Sequence, residues 1–160
     1  MNGMTEEETL AFLSENASGV LCLNGDGGFP YGVPVNYVLV DGKIHFHGSQ
    51  SGGKAEAISR DSRCCFTVAE DGGFEVTGER ACNITAVYRS AIGRGNAVLR
   101  EDEETKAKVL RRLVDVLVPE RKGVPMDVSR VRTTAVYRID PVAVTGKRRR
   151  PMPGDRVLKG

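Results

Sequence analysis

The stretch Ile44-His45-Phe46-His47-Gly48-Ser49-Gln50-Ser51-Gly52-Gly53-Lys54 gathers more reactive chemistry than any other part of this 160-residue chain. An alternating segment delivers histidines to its end, small residues follow, and a lysine opens a helical pattern. Each part suits a phosphate. Glycines let backbone N–H groups come close, a helix N-terminus favours negative charge, and lysine adds a full cation. The same residues also fit an ordinary strand-to-helix loop with an exposed lysine, because glycine-rich loops are common. Residue types alone leave both readings open.

His45 and His47 are the only histidines, and a spacing of two puts them on one face of a strand. Such a pair can hold a metal, but a catalytic zinc takes three protein ligands and no third stands nearby at a convincing spacing. A hydrogen-bonding or structural imidazole ranks ahead of a metal ligand. The four cysteines, Cys22, Cys64, Cys65 and Cys82, show no C-x-x-C spacing. They read as buried thiols, ahead of a disulfide or a metal site. Lys147-Arg148-Arg149-Arg150 is the one basic run. It reads as the start of a solvated tail over 147–160, ahead of a polyanion- or nucleic-acid-binding patch, with contact to an anionic ligand across a dimer as a further use.

Charge and composition narrow the classes. Basic residues number 23 against 21 acidic, a net charge of +2, which does not match the strongly basic domains that bind nucleic acid. The opening Met1-Asn2-Gly3-Met4-Thr5-Glu6-Glu7-Glu8 lacks the basic and apolar regions of a signal peptide, and no apolar run approaches a bilayer span. A cytoplasmic protein without membrane or nucleic-acid partners is expected. The length suits a single domain over 1–160.

The elements that must position the chemistry follow from periodicity. Thr5 and Glu8 form a capping box, and Leu10, Phe12 and Leu13 make the stripe of a first helix ending near Asn16. A short strand at 19–23 and a turn at 24–28 come next. Over 31–40, Tyr31, Val33, Val35, Tyr37 and Leu39 share one side, and Pro34 predicts an edge or irregular strand. Asp41-Gly42 is the tightest hairpin signal and leads into the histidine strand. A short helix at 54–60, a strand at 64–68 and a turn at Asp71-Gly72-Gly73 follow. A β-rich stretch over 83–99 carries Gly93 and Gly95, which predict a bulge or bend. Asp102 caps a second long helix with a stripe of Ala107, Leu110, Val114 and Leu117, ended by Pro119. Final strands are expected at 134–139 and 143–146. Six or seven antiparallel strands with flanking helices predict a mainly β, partly closed barrel.

Four segments in order resemble a known family. Tyr31-Gly32-Val33-Pro34-Val35-Asn36-Tyr37-Val38, the His45/His47 strand with Gly53-Lys54, Val87-Tyr88-Arg89-Ser90-Ala91-Ile92-Gly93-Arg94-Gly95, and Val144-Thr145-Gly146-Lys147-Arg148 are similar to the core of pyridoxamine 5′-phosphate oxidase-like flavoproteins. The nitroimidazole-resistance branch is the nearest in pattern. The resemblance implies an FMN-binding split β-barrel, a homodimer, and FMN held between the subunits. It implies that Val35, Asn36 and Tyr37 line the isoalloxazine through backbone and side chain. His47, Gly48, Ser49 and Lys54 would hold ribityl and phosphate, with Ser90 and Ala91 as further candidates at the phosphate end. The closing Val157-Leu158-Lys159-Gly160 departs from the Arg-Leu-x-Pro-type ending of true pyridoxamine phosphate oxidases, so that activity is not expected. His45 stands where relatives often carry an aromatic residue.

Two functions follow. One is an FMN-dependent oxidoreductase of nitro- or quinone-reductase type, using a small-molecule electron donor and acceptor, with no side chain assigned as catalytic and His47 the first candidate to face substrate. The other is a flavin- or haem-holding sensor without turnover.

Overall fold

Six strands close on one another. The computed structural model describes residues 3–159, in which β1 (Gly3–Met4) and α1 (Glu6–Glu15) precede β2 (Ser18–Asn24), β3 (Pro30–Val40), β4 (Lys43–Gly48), α2 (Gly53–Arg60) and β5 (Arg63–Val76). After them come β6 (Ile84–Arg100), α3 (Glu103–Leu117), α4 (Val128–Thr133), β7 (Ala135–Arg149) and β8 (Arg156–Leu158). Strand pairing runs β2–β3–β4–β7–β6–β5 and returns from β5 to β2, antiparallel throughout. β1 adds to β7 and β8 to β5. The mainly β, antiparallel barrel with flanking helices is the fold class read from the sequence, and its closure leaves fewer open edges than a split sheet. No described helix is long and apolar enough to cross a membrane.

The strands run further than local signals indicate. Asp71-Gly72-Gly73, read as a turn, is a bulge inside β5, where the pairing to β6 shifts between Asp71 and Phe74. Gly73 adopts φ 88° and its N–H donates to Asp71 Oδ1 at 2.8 Å, so the irregularity satisfies itself locally and the strand continues. The two final strands are one: β7 passes through Pro141, with the register to β6 stepping from Arg94↔Ala143 to Gly95↔Pro141. Gly95 is required there. A Cβ on it would lie 2.2 Å from the Asp140 carbonyl oxygen.

Lys147, Arg148 and Arg149 belong to β7 and do not begin a free tail. Arg148 pairs with Glu8, and Arg149 pairs with Glu75, a fully buried carboxylate that also accepts from Met152 N at 2.5 Å. The chain then returns through β8 to β5. Charge is therefore spent on internal ties.

The barrel core comes from alternation. Leu21, Leu23, Val35, Tyr37, Phe46, Phe66 and Val68 point inward and are buried, each large side chain contributing about 1.5–3 kcal/mol on burial. α1 starts on the expected capping box, with Thr5 N donating to Glu8 Oε2 and Glu8 N to Thr5 Oγ1. It closes one end with Phe12 and Leu13, while Leu10 turns outward and Thr9 takes the inward place by bonding Thr5 O at 2.7 Å. α3 lies outside the barrel, where Val109 and Leu113 meet Val38, Val40 and Val136. Those outward valines fix the helix rotation, so the predicted stripe of Ala107, Leu110, Val114 and Leu117 sits on the flank. α4 carries no strong apolar signal in the sequence; Asp127 caps it by accepting from Ser129 N at 2.8 Å.

Candidate functional site at the end of β4

The Asp41-Gly42 turn sets the geometry. With φ of 52° and 72° it supplies the left-handed pair that a two-residue hairpin needs. The register it fixes, Val38↔His45 and Tyr37↔Phe46, brings the end of β4 beside Asn36. β3 is the longer strand, so its segment 30–36 pairs with β2 and has no β4 partner beyond Tyr37. Pro34, which has no N–H to donate, falls in this one-sided half, as expected for an edge position.

Beyond Gly48 the chain crosses a short loop and enters α2 through Gly52, at φ 98°. Lys54 then folds back over the strand it has just left. Its Nζ donates to His47 O at 3.2 Å and stands 5.5 Å from the Phe46 ring centroid. Gly48 makes this possible, because a Cβ there would lie 2.7 Å from Nζ. Burial holds the Lys54 pKa below the usual lysine range. His47, exposed at the strand end but partly desolvated by its neighbours, is lowered too, first by that desolvation and then by the neighbouring Lys54 charge, which favours a neutral imidazole. Ser49 Oγ accepts from Ser51 N at 3.3 Å, and Asn36 Nδ2 donates to Ala17 O at 3.2 Å. The junction therefore combines a partly desolvated cation, the first turn of a helix and an unpaired strand edge. That combination suits an elongated ligand with an anionic end.

His47, Gly48, Ser49 and Lys54 share this junction, and the strand register brings Asn36 beside it, with its side-chain amide bonded to Ala17 O. Val35 and Tyr37 are in the same stretch, but their side chains point into the barrel at 7% and 0% exposure, so only their backbone faces the junction. Tyr37 is fully committed to the core: its hydroxyl donates to Leu13 O at 2.6 Å, and burial pushes the phenol pKa far up. The side-chain contact expected of these two residues is corrected by the two-residue period of the strand. Ser90 and Ala91 are elsewhere. Ser90 faces Lys147 while Gly48 faces Ala135, at opposite ends of β7, and Ala91 is 1% exposed inside the barrel. His45 is buried on the outer side of β4, with Nδ1 3.0 Å from Lys43 O; burial is the main cause of its lowered pKa.

A groove of about 410 Å³ opens on the other side of His47. Leu110, Val114 and Leu117 of α3, with Met126 and Val131, make its apolar wall, and Arg130 also lines it. The apolar character of the α3 stripe is legible in the sequence, but its role as a wall depends on the rotation imposed by Val38 and Val40.

The fold recurs in solved proteins. The chain is similar to a candidate 5-nitroimidazole antibiotic resistance protein from Bacteroides thetaiotaomicron, at 23% identity over 91% of this chain and 85% of that one, with a TM-score of 0.72. It is similar to the flavocytochrome Anf3 from Azotobacter vinelandii, at 27% identity over 93% and 70%, with a TM-score of 0.76. The FAD and haem binding protein from Mycobacterium smegmatis gives a TM-score of 0.83 at 19% identity, over 98% and 77%. No curated protein sequence matches the chain. A family model described as pyridoxamine 5′-phosphate oxidase matches residues 5–148, from the α1 capping box to the far end of β7, and the chain belongs to that family.

Proposed function

We propose that this protein is a flavoprotein that anchors the phosphate of FMN, alone or as the flavin half of a larger cofactor, at the junction of β3, β4 and α2. One observation carries the reading: Lys54 is turned back over Gly48 to the end of β4, beside the one-sided half of β3. The residues fit the group. A phosphate carries close to two negative charges near neutrality, which Lys54 and the α2 N-terminus complement. The flat, amphipathic ring suits a strand edge with a few polar groups, offered by Asn36, His47 and the backbone of Val35 and Tyr37. When bound, the flavin supplies electron transfer, and the protein supplies placement and electrostatics.

The activity that fits is an oxidoreductase of nitro- or quinone-reductase type, acting in the cytoplasm as a homodimer with the flavin between subunits. The outer barrel face supports a second copy, since Val20, Ile92, Val142 and Val144 are exposed there. Ser90, remote from Lys54 within one chain, can serve the phosphate only from that second copy. A visible spectrum of the purified protein tests the cofactor: flavin bands, lost in Lys54→Glu, support it, and a protein that stays colourless with added FMN refutes it. Reduction by NADH or NADPH and fast reoxidation by a nitroaromatic test turnover.

A second reading has its own observation. His47, favoured as a neutral imidazole, borders an apolar groove that Arg130 also lines, an arrangement that suits a haem ligand and a propionate partner. The Azotobacter flavocytochrome and the Mycobacterium FAD and haem binding protein, which share the fold, agree with it. A Soret band on haemin titration, lost in His47→Ala, separates this sensor from the flavin reductase.

A further inference from the structure

We propose that Cys22 and Cys65 form a two-electron redox site on the outer barrel wall, a dithiol that hydrogen peroxide oxidises to a disulfide. The site stands independently of the flavin reading above. Nothing in the spacing of the two residues marks them as a pair; the fold makes them one. β2 and β5 are antiparallel, and Cys22 lies directly opposite Cys65. Opposed residues of such strands share a face and stand about 4.5–5.5 Å apart at Cα, within the roughly 4.4–6.8 Å that a disulfide spans. Both are free thiols and half-buried, whereas Cys64 is buried and Cys82 exposed.

The neighbours leave the pair open. Gly32, Cys22, Cys65 and Arg94 make one cross-strand row over β3, β2, β5 and β6. Gly32 has no side chain to cover the Cys22 sulfur; a Cβ there would stand 3.9 Å from Sγ. A pocket of about 680 Å³ opens above, with Cys22, Cys65 and Arg94 in its lining. Arg94 is exposed and makes no ion pair among the described residues. Its guanidinium flanks Cys65, beside the negative charge that sulfur carries into attack. Cys22 is on the far side from that cation, and burial, then Cys65, raises its thiol pKa. Cys65 is therefore the attacking sulfur and Cys22 the resolving one. Cys64 turns into the core, its thiol pushed up to about 11 by burial, and takes no part.

The chemistry balances. Cys65 sulfur attacks one peroxide oxygen, the O–O bond breaks, and the departing hydroxide takes the Cys65 proton to leave as water. The product is a sulfenic acid. Cys22 sulfur then attacks Cys65 sulfur, the S–O bond breaks, and the hydroxide leaves with the Cys22 proton as a second water. Two thiols lose two electrons and the peroxide gains them. Two equivalents of a small thiol restore the pair by exchange, the reversible use that disulfides usually have in a reducing compartment.

Full-length protein is exposed to a small excess of hydrogen peroxide, and its thiols are counted after denaturation. The count is expected to fall from four to two, with a linked Cys22–Cys65 peptide in the mass spectrum and full recovery on adding dithiothreitol. Cys82→Ser, which removes the exposed thiol, is expected to fall from three to one. Cys22→Ser is expected to leave a sulfenic acid at Cys65 that dimedone traps; trapping at Cys22 in Cys65→Ser instead overturns the assignment of roles. The Val20, Thr67 and Ile92 row of the face given above to a second copy lies two residues along the same strands. Four thiols surviving, as when a second copy seals the pair, overturns the site. So does oxidation confined to Cys82, or links formed only between chains. The wild-type linkage map decides this even where a serine variant fails to fold.

Discussion

Lys54 and Gly48 occupy one space: the ammonium rests where a side chain at position 48 would have to go, 2.7 Å from a Cβ built there. The cation is thereby held at the end of β4, hydrogen-bonded to the His47 carbonyl. Gly48→Ala is expected to displace Lys54 and weaken flavin binding about tenfold, the order expected for loss of one charge-assisted contact, while thermal stability changes little. Titration of deflavinated protein with FMN measures it.

Tyr37 separates core from site. Its hydroxyl is bonded to Leu13 O inside the barrel. Tyr37→Phe is expected to cost about 1–2 kcal/mol of stability through the lost buried hydrogen bond and to leave flavin affinity unchanged. Urea unfolding and the same titration decide it, and a large affinity loss would mean that the side chain faces the ligand.

His47 titrates below its ordinary range because of partial desolvation by its neighbours and then the Lys54 charge. Any activity step that needs its neutral form is expected to persist at and above pH 6.5 and to fall away only at lower pH. Lys54→Met removes the repelling charge, so the His47 pKa is expected to rise; an NMR titration of the two imidazoles follows it.

Glu75 ties β5 to the C-terminal segment through Arg149 and Met152 N. The Met152 N–H is the leading cause of its lowered pKa, with Arg149 adding to it. A depressed carboxylate stabilises the fold above its unfolded pKa and loses that contribution as pH falls through the folded value. The melting temperature is therefore expected to drop with acidification below about pH 4.5, and Glu75→Gln is expected to flatten that part of the curve. Differential scanning calorimetry across pH 3–7 reads both, with amide exchange in β8 as a local reporter.

Val20 and Ile92 sit on the outer barrel face in one cross-strand row, linked through Thr67. Glutamate at both is expected to convert a dimer to a monomer on gel filtration, since like charges on an apolar contact oppose association.

Legibility followed the range of the forces. Local signals were plain: the Thr5/Glu8 capping box, the Asp41-Gly42 turn, the Asp102 cap and the loop before Lys54 all stand where the sequence puts them. Long-range pairing was not. Asp71-Gly72-Gly73 has the composition of a turn, and only the β6 partner keeps the strand going through it. Pro141 divides two strands in the sequence, but the close approach of Gly95 carries β7 past it. The basic run looked solvent-bound because Glu8 and Glu75, its partners, are distant in the chain. At the site, alternation along β3 was already visible, and it assigns Val35 and Tyr37 to the core; the family resemblance alone made their side chains ligand contacts.

The barrel seam between β6 and β7 joins strands separated by both α3 and α4. During synthesis, β2 to β6 emerge before β7 exists, leaving β4 and β6 with bare hydrogen-bonding edges until the last quarter of the chain is made. Such edges template intermolecular pairing. A chain stopped before residue 135 is thus a sheet that cannot roll shut, and its fate is aggregation rather than a smaller working protein.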